Sequence, residues 1–195
     1  MARKARQSKG KLMTPNFFVF CEGETEVVYV EMLRAHFRCP IHIIAKKTLL
    51  NITPALVERC KEAYLQTKDD RTFLMYDLDV PSVLERLKKI PDATLLCSNP
   101  CFELWLLLHA TERKSEINTD DVIKELRKSL SIWKNYKKSE FTKDQQTFLL
   151  SNMVNAINRA KGLKEFQNPS TGIYKLIELL NEEVRKYQKS LIQNQ

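Results

Sequence analysis

Four short apolar runs constrain what this chain can fold into. They lie at residues 16–21 (NFFVFC), 41–46 (IHIIAK), 72–78 (TFLMYDL) and 93–97 (ATLLC). Each is strand-length, and the first is a continuous aromatic and β-branched stretch of the kind buried on both faces of a sheet. Helical patterns separate them. Tyr29, Leu33 and Phe37 recur on one face of a helix over 26–37. Thr53 followed by Pro54 reads as an N-cap and a first-turn proline, opening a helix that carries Leu56, Cys60 and Tyr64 inward. Pro81 opens a short helix with Leu84 and Leu87, and CFELWLLLHA after the fourth run reads as an apolar helix. This alternation predicts an α/β fold, a parallel sheet of about four strands flanked by helices.

Past residue 110 the pattern changes. TERKSEINTDD is polar and charged, and everything beyond it reads as helix. The expected organisation is a basic flexible tail over 1–13, an α/β domain over 14–112 and a helical extension packed on it over 113–195. Thr119 should cap one helix, with Ile123, Leu126 and Leu130 inside. A second should carry Leu149, Met153, Ala156 and Ala160 and end at Gly162. A third should start near Ser170 or Thr171 and bury Ile173, Leu176, Ile177, Leu180, Val184 and Tyr187.

Composition excludes several function classes. No apolar run approaches the roughly 18 residues of a membrane span. The basic N-terminus lacks a following apolar stretch and so reads as no secretory signal; a cytoplasmic location without membrane contact is expected. Cys21, Cys39, Cys60, Cys97 and Cys101 form no CxxC pair and read as reduced, mostly buried thiols. His36, His42 and His109 make no metal-binding pattern. The net charge is +8, and Arg3, Lys4, Arg6, Lys9 and Lys11 supply five of those charges. Such a tail can hold nucleic-acid phosphates or serve only solubility.

The chemistry-bearing residues are acids placed where strands should end. Glu22 follows the first run; Asp77 and Asp79 lie at the end of the third, two apart and so directed to one side of an extended chain. Strand ends of the same sense share one edge of a parallel sheet, the edge that binds ligands. Carboxylates gathered there repel one another unless a cation intervenes, and oxygen-only donors suit Mg²⁺ or Mn²⁺. Glu103 and Glu26 are candidates to complete such a site, although both also suit the first turn of a helix. Ser98 and Asn99, at the exit of the fourth strand, are candidates for contact with phosphate or metal-bound water. In SIWKNYKKSEF, Trp133 and Tyr136 alternate with Lys134, Lys137 and Lys138. That string fits either nucleic-acid binding or a helix with its aromatics in the core.

A glutamate after strand one and a DxD after strand three resemble the Toprim fold of topoisomerases, primases and nucleases. FCEGETEVVYVEML, YDLDV, NPCFELWLLLH and NPSTGIYKLIELL together resemble the RloB-like family over residues 16–181. Members of that family are small Toprim-like partners of ATPases in restriction-linked and abortive-infection loci. The resemblance implies a Mg²⁺-dependent nuclease of an anti-phage system, with DNA or RNA (tRNA included) as substrate. It implies Glu22 as general acid/base and Asp77 and Asp79 as metal ligands. A third acid common in Toprim proteins is replaced here by Pro81, leaving Glu103 or Glu26 to take that part. The chain is too short for a topoisomerase, lacks a primase-type zinc ribbon and has no GxxxxGK[ST] loop, so an ATPase would be a separate chain. A homodimer is compatible with the same features. The alternative is a non-catalytic adaptor or sensor that binds an ATPase partner or nucleic acid without cutting it.

Overall fold

The computed structural model describes residues 14–38, 42–48 and 52–193. Four strands, β1 (Asn16–Cys21), β2 (His42–Lys47), β3 (Arg71–Met75) and β4 (Ala93–Leu95), form one parallel sheet in the order β2-β1-β3-β4. Between them run α1 (Glu24–Phe37), α2 (Pro54–Glu62) and α3 (Pro81–Leu87). The expected α/β fold is present. β1 is one of the two interior strands and is buried along its whole length. Its start is held by Asn16, whose main-chain N–H and side-chain amide both donate to the Asp70 carboxylate, at 2.8 and 3.1 Å.

Strand alternation sorts the core into two faces. Phe17, Val19 and Cys21 of β1 and Phe73 and Met75 of β3 pack with α1 and the helices that follow the sheet. Phe18, Phe20, Leu74 and Tyr76 pack on the opposite face with Val57, Val83 and Leu87. Thr53 caps α2 as expected, accepting from the Leu56 N–H at 3.2 Å, but Val57 rather than Leu56 is the side chain this helix buries fully.

The next element, α4 (Glu103–Ala110), is apolar on every side, and Leu104, Trp105, Leu106, Leu107 and Leu108 are each fully buried. A helix without a polar face must be covered all round. One side meets α1, where the Trp105 indole N–H donates to the Tyr29 hydroxyl at 2.8 Å. The others meet α5 (Thr119–Ser129), α6 (Lys143–Ser151) and α7 (Met153–Lys161). Helix α8 (Tyr174–Gln193) adds Leu176, Ile177 and Leu180 to the same core. The α/β part and the helical part therefore share one continuous core. Among the described residues no helix is long and apolar enough to cross a membrane.

Several local expectations are corrected. Asn118, not Thr119, caps α5. It accepts from the Asp121 N–H at 2.9 Å and donates back to the Asp121 carboxylate at 2.8 Å, a reciprocal arrangement that Thr119 cannot match. The helix expected through Leu149 and Ala160 is two helices, broken at Asn152. There the side-chain amide competes with the main chain for the Phe148 carbonyl, both at 3.0 Å. Ser170 and Thr171 do not open a helix. They form β6 (Ser170–Thr171), antiparallel to β5 (Ser98–Asn99), so α8 starts later.

β5 and β6 form a separate two-stranded sheet, joined to the first by an isolated parallel bridge between Asp77 and Ser98: the Ser98 N–H reaches the Tyr76 carbonyl at 2.9 Å, and the Gly172 N–H reaches the Cys97 carbonyl at 2.8 Å. A side chain at Gly172 has no room, since a Cβ would lie 2.9 Å from the Leu95 carbonyl oxygen and 3.3 Å from Leu96 Cα. Both neighbours are backbone and cannot swing aside. Gly172→Ala should cost about 1–3 kcal/mol, read as a lower urea midpoint with an unchanged slope.

Candidate active site

The strand order creates the site. From β1 the chain crosses to β2 on one side, then returns to place β3 and β4 on the other. The crevice between the carboxyl ends of β1 and β3 is thus a topological switch point, where open α/β sheets bind ligands. Cys21 and Met75 are paired in register, and the Glu22 N–H continues the ladder to the Met75 carbonyl at 3.0 Å. Then the ladder is replaced. The Asp77 N–H donates not to main chain but to Glu22 Oε2, at 2.9 Å. On the β1 side the main-chain ladder stops here, whereas on the other edge pairing runs on, with the Leu78 N–H donating to the Ser98 carbonyl at 2.8 Å. The carboxylate of one strand exit is fastened to the backbone of the next.

Asp77 is held in turn. Its Oδ1 accepts the Phe102 N–H at 2.8 Å, at the start of α4. Beside it Glu103 is 1% exposed, and its Oε1 accepts from the Tyr136 hydroxyl at 3.2 Å and lies 3.3 Å from Lys138 Nζ. Glu26, 6% exposed in the first turn of α1, folds back over Gly23. Both glutamates open helices, as their sequence positions suggest, and both lie close enough to Asp77 for their charges to act on it. Asp79 is separated from its partner: Asp77 is drawn in towards α4, whereas Asp79 is exposed and bears on the cluster through its charge on Glu22.

The remaining candidates fall elsewhere. The Ser98 hydroxyl is buried against the Thr171 hydroxyl at 2.9 Å, and the Asn99 amide donates to the Phe166 carbonyl at 3.0 Å. Ser98 thus ties β5 to β6, and Asn99 ties β5 to the segment that precedes β6. Trp133 and Tyr136 are core side chains, 0% and 2% exposed, so neither offers a face on which a base could stack. Lys134 and Lys137 are exposed on the same loop, and Lys137 lies 3.8 Å from Glu140. Arg3, Lys4, Arg6, Lys9 and Lys11 lie outside the described residues. Among the described residues the cysteines Cys21, Cys60, Cys97 and Cys101 are free thiols.

The electrostatics follow from packing acids together in a crevice where Glu26 and Glu103 are buried and Glu22 and Asp77 half-buried. Burial raises the Glu22 carboxyl above its ordinary range; the Asp77 N–H opposes this, Asp79 adds to it, and Arg86 and Lys138 oppose it. Burial, then the charges of Glu26, Glu22 and Glu103, pushes Asp77 well up. Burial also carries Glu26 to about 7, reinforced by Glu103 and Glu22. Lys138 goes the other way for a base. Partial burial pulls it down, but Glu103 and Asp77 outweigh that and hold the ammonium above its usual range. The crevice gathers several carboxyls around one ammonium, and their raised pKa values mean that their ionisation there is opposed unless a cation intervenes; the donors are all oxygen. That donor set fits a hard divalent cation. Among the described residues no three acidic, histidine or cysteine side chains form a ready-made cage. Mg²⁺ needs none, since it keeps several waters and is commonly held through one or two carboxylates.

The family model of the RloB-like proteins matches residues 17–180. The chain belongs to the RloB-like protein family. The match runs from β1 into α8, so Glu22, Asp77, Glu103 and Lys138 all lie within it. No curated protein and no solved structure matches the chain. The signal for Tyr136 and Lys138 in this RloB-like protein was present in SIWKNYKKSEF, but only the packing of the helical part showed that it faces the acids.

The raised carboxyls give a testable pH dependence in metal-free protein. A folded state that holds protons more tightly than the unfolded chain gains stability below the ordinary glutamate pKa and loses it as pH rises through the folded value. For Glu26 the window runs from about 4.5 to about 7. Its loss is at most about 3 kcal/mol. In EDTA the thermal midpoint should fall across this window, and Glu26→Gln should flatten the fall and raise the midpoint at pH 7. A midpoint that rises over the same window in wild type would show that the acids are not buried together.

Proposed function

We propose that this RloB-like protein is a Mg²⁺- or Mn²⁺-dependent nuclease that hydrolyses phosphodiester bonds in DNA or RNA. One observation carries the reading. Glu22 and Asp77, from the two strands flanking the switch point, are hydrogen-bonded together inside a cluster completed by Glu26 and Glu103. A structural role alone does not account for concentrating negative charge where burial penalises it. Asp77 would hold the ion, with Asp79 at the rim and Glu26 behind. When bound, the ion would neutralise the cluster, polarise a phosphoryl oxygen and make a water molecule easier to deprotonate.

Glu22 suits the proton-transfer role. A general base works best with a pKa moved towards the working pH, and burial moves Glu22 in that direction. The water oxygen forms a bond to phosphorus as its proton passes to Glu22. The bond from phosphorus to the leaving ester oxygen breaks, and that oxygen takes a proton from solvent. Lys134, Lys137 and the basic N-terminal residues would hold the backbone of the nucleic acid. On the family resemblance we propose as its setting a bacterial anti-phage or abortive-infection system with a separate ATPase chain and a cytoplasmic location.

Glu22→Gln keeps size and hydrogen bonding but accepts no proton. It should lower the cleavage rate by about 10²–10⁴-fold and leave substrate binding little changed. Asp77→Ala should abolish cleavage at any Mg²⁺ concentration. Both should be assayed on DNA and RNA with and without the partner ATPase, and both should fold, because each removes a repelling charge. If the folded variants protect cells from phage as well as wild type does, the protein acts as an adaptor or sensor and the nuclease reading is wrong.

A further inference from the structure

Resting on the nuclease reading above, we infer that Lys138 is the resident cation of the site, taking the place of a second divalent ion, and that Glu103 is its anchor rather than a metal ligand. Glu103 was a candidate ligand in the sequence. In the fold its Oε1 is already engaged by the Tyr136 hydroxyl at 3.2 Å and by Lys138 Nζ at 3.3 Å. A carboxylate oxygen holding an ammonium and a phenol is poorly placed to bind a hydrated divalent ion as well.

The loop that delivers Lys138 is fastened on both sides of it. Before it, Tyr136 is buried in the core and its carbonyl accepts from the Arg127 guanidinium at 3.1 Å. After it, Ser139 adopts a left-handed conformation, with φ of 69°, and its N–H donates to the Thr25 hydroxyl of α1 at 3.0 Å. Left-handed backbone is uncommon for a residue with a side chain, and it is kept here by contacts on either side. The side chain between these fastenings runs from solvent into the acids, 57% exposed, with its head against a carboxylate that is 2% exposed. Such a lysine is unlike one on a solvated face, which would be free to swing away.

Phosphodiester cleavage develops negative charge on the non-bridging oxygens and the leaving oxygen. Two-ion sites meet that charge with a pair of cations 3.5–4 Å apart. A tethered ammonium meets it with one fixed charge and no dependence on free metal. Tyr136 and Glu103 act through Lys138 as positioning residues. Lys138 donates no proton in this scheme; it remains an ammonium throughout, and the leaving oxygen is protonated by solvent.

The inference is tested by counting ions. Wild-type protein titrated with Mn²⁺, with free Mn²⁺ read by electron paramagnetic resonance, should bind one ion tightly, and its cleavage rate should rise with the first power of Mn²⁺ concentration. Lys138→Met should bind two, cleave at least 100-fold more slowly at low Mn²⁺, recover part of its rate at high Mn²⁺, and show a second-power dependence. Glu103→Gln, which frees the lysine without removing its charge, should still bind one ion and lose kcat with little change in KM. Thermal midpoints would establish that each variant is folded; should Lys138→Met not fold, Lys138→Gln takes its place. Two tightly bound ions in wild type, or one in the folded lysine variant, would overturn the inference while leaving a metal-dependent nuclease intact. Failure of wild type to bind Mn²⁺ at all would remove both readings.

Discussion

An eight-residue helix with no polar face governs this structure. Because α4 is apolar all round, it cannot lie on the surface of the sheet as α1, α2 and α3 do. It has to be enclosed, and the chain encloses it with α1 on one side and α5 to α8 on the others. Burying several leucines and a tryptophan completely is worth roughly 1.5–3 kcal/mol for each side chain. That stabilisation exceeds what the surface ion pairs of the outer helices can offer.

The enclosure has a chemical consequence. The start of α4 lies at the carboxyl edge of the sheet, so its first turn presents the Phe102 N–H to Asp77 and carries Glu103 into the same crevice. The helices that cover α4 bring their connecting loop across that crevice, and with it Tyr136 and Lys138. The acidic strand exits and the basic loop come from opposite halves of the chain. They meet because one hydrophobic core serves both halves. Fixing the acids by hydrogen bonds to main-chain N–H groups keeps them close although their charges repel. The raised carboxyls of Glu22, Glu26 and Asp77 measure the residual cost.

Much of this was legible from residue order. Continuous apolar runs ending in acids identify buried parallel strands and place Glu22 and Asp77 at their exits, because side-chain burial and strand length are local properties. Where the reading failed, a longer-range interaction had taken over. Ser170 and Thr171 look like helix-start residues, yet they pair with Ser98 and Asn99 more than 70 positions away. Asp77 and Asp79 look equivalent in YDLD, yet only Asp77 is drawn in, because only it meets the free N–H at the start of α4. Tyr136 looks like an aromatic available for stacking, yet its ring completes the core beside Phe141 and Trp133.

By itself the sequence determined the parallel α/β layout, the apolar character of α4 and the acids at the strand exits. Each follows from a periodicity or a run that the chain carries within a dozen residues. Only the tertiary structure decided which acids converge, that Glu22 is fastened to the backbone of Asp77, and that a lysine from the helical half sits among them. Those outcomes depend on strand order and on how one unpolar helix is covered, and neither is encoded in any local stretch. Charge is where the distinction shows most clearly. A count of acids and lysines along the chain is fixed by sequence, whereas their effect on one another depends on distance and on the exclusion of water, which only packing sets.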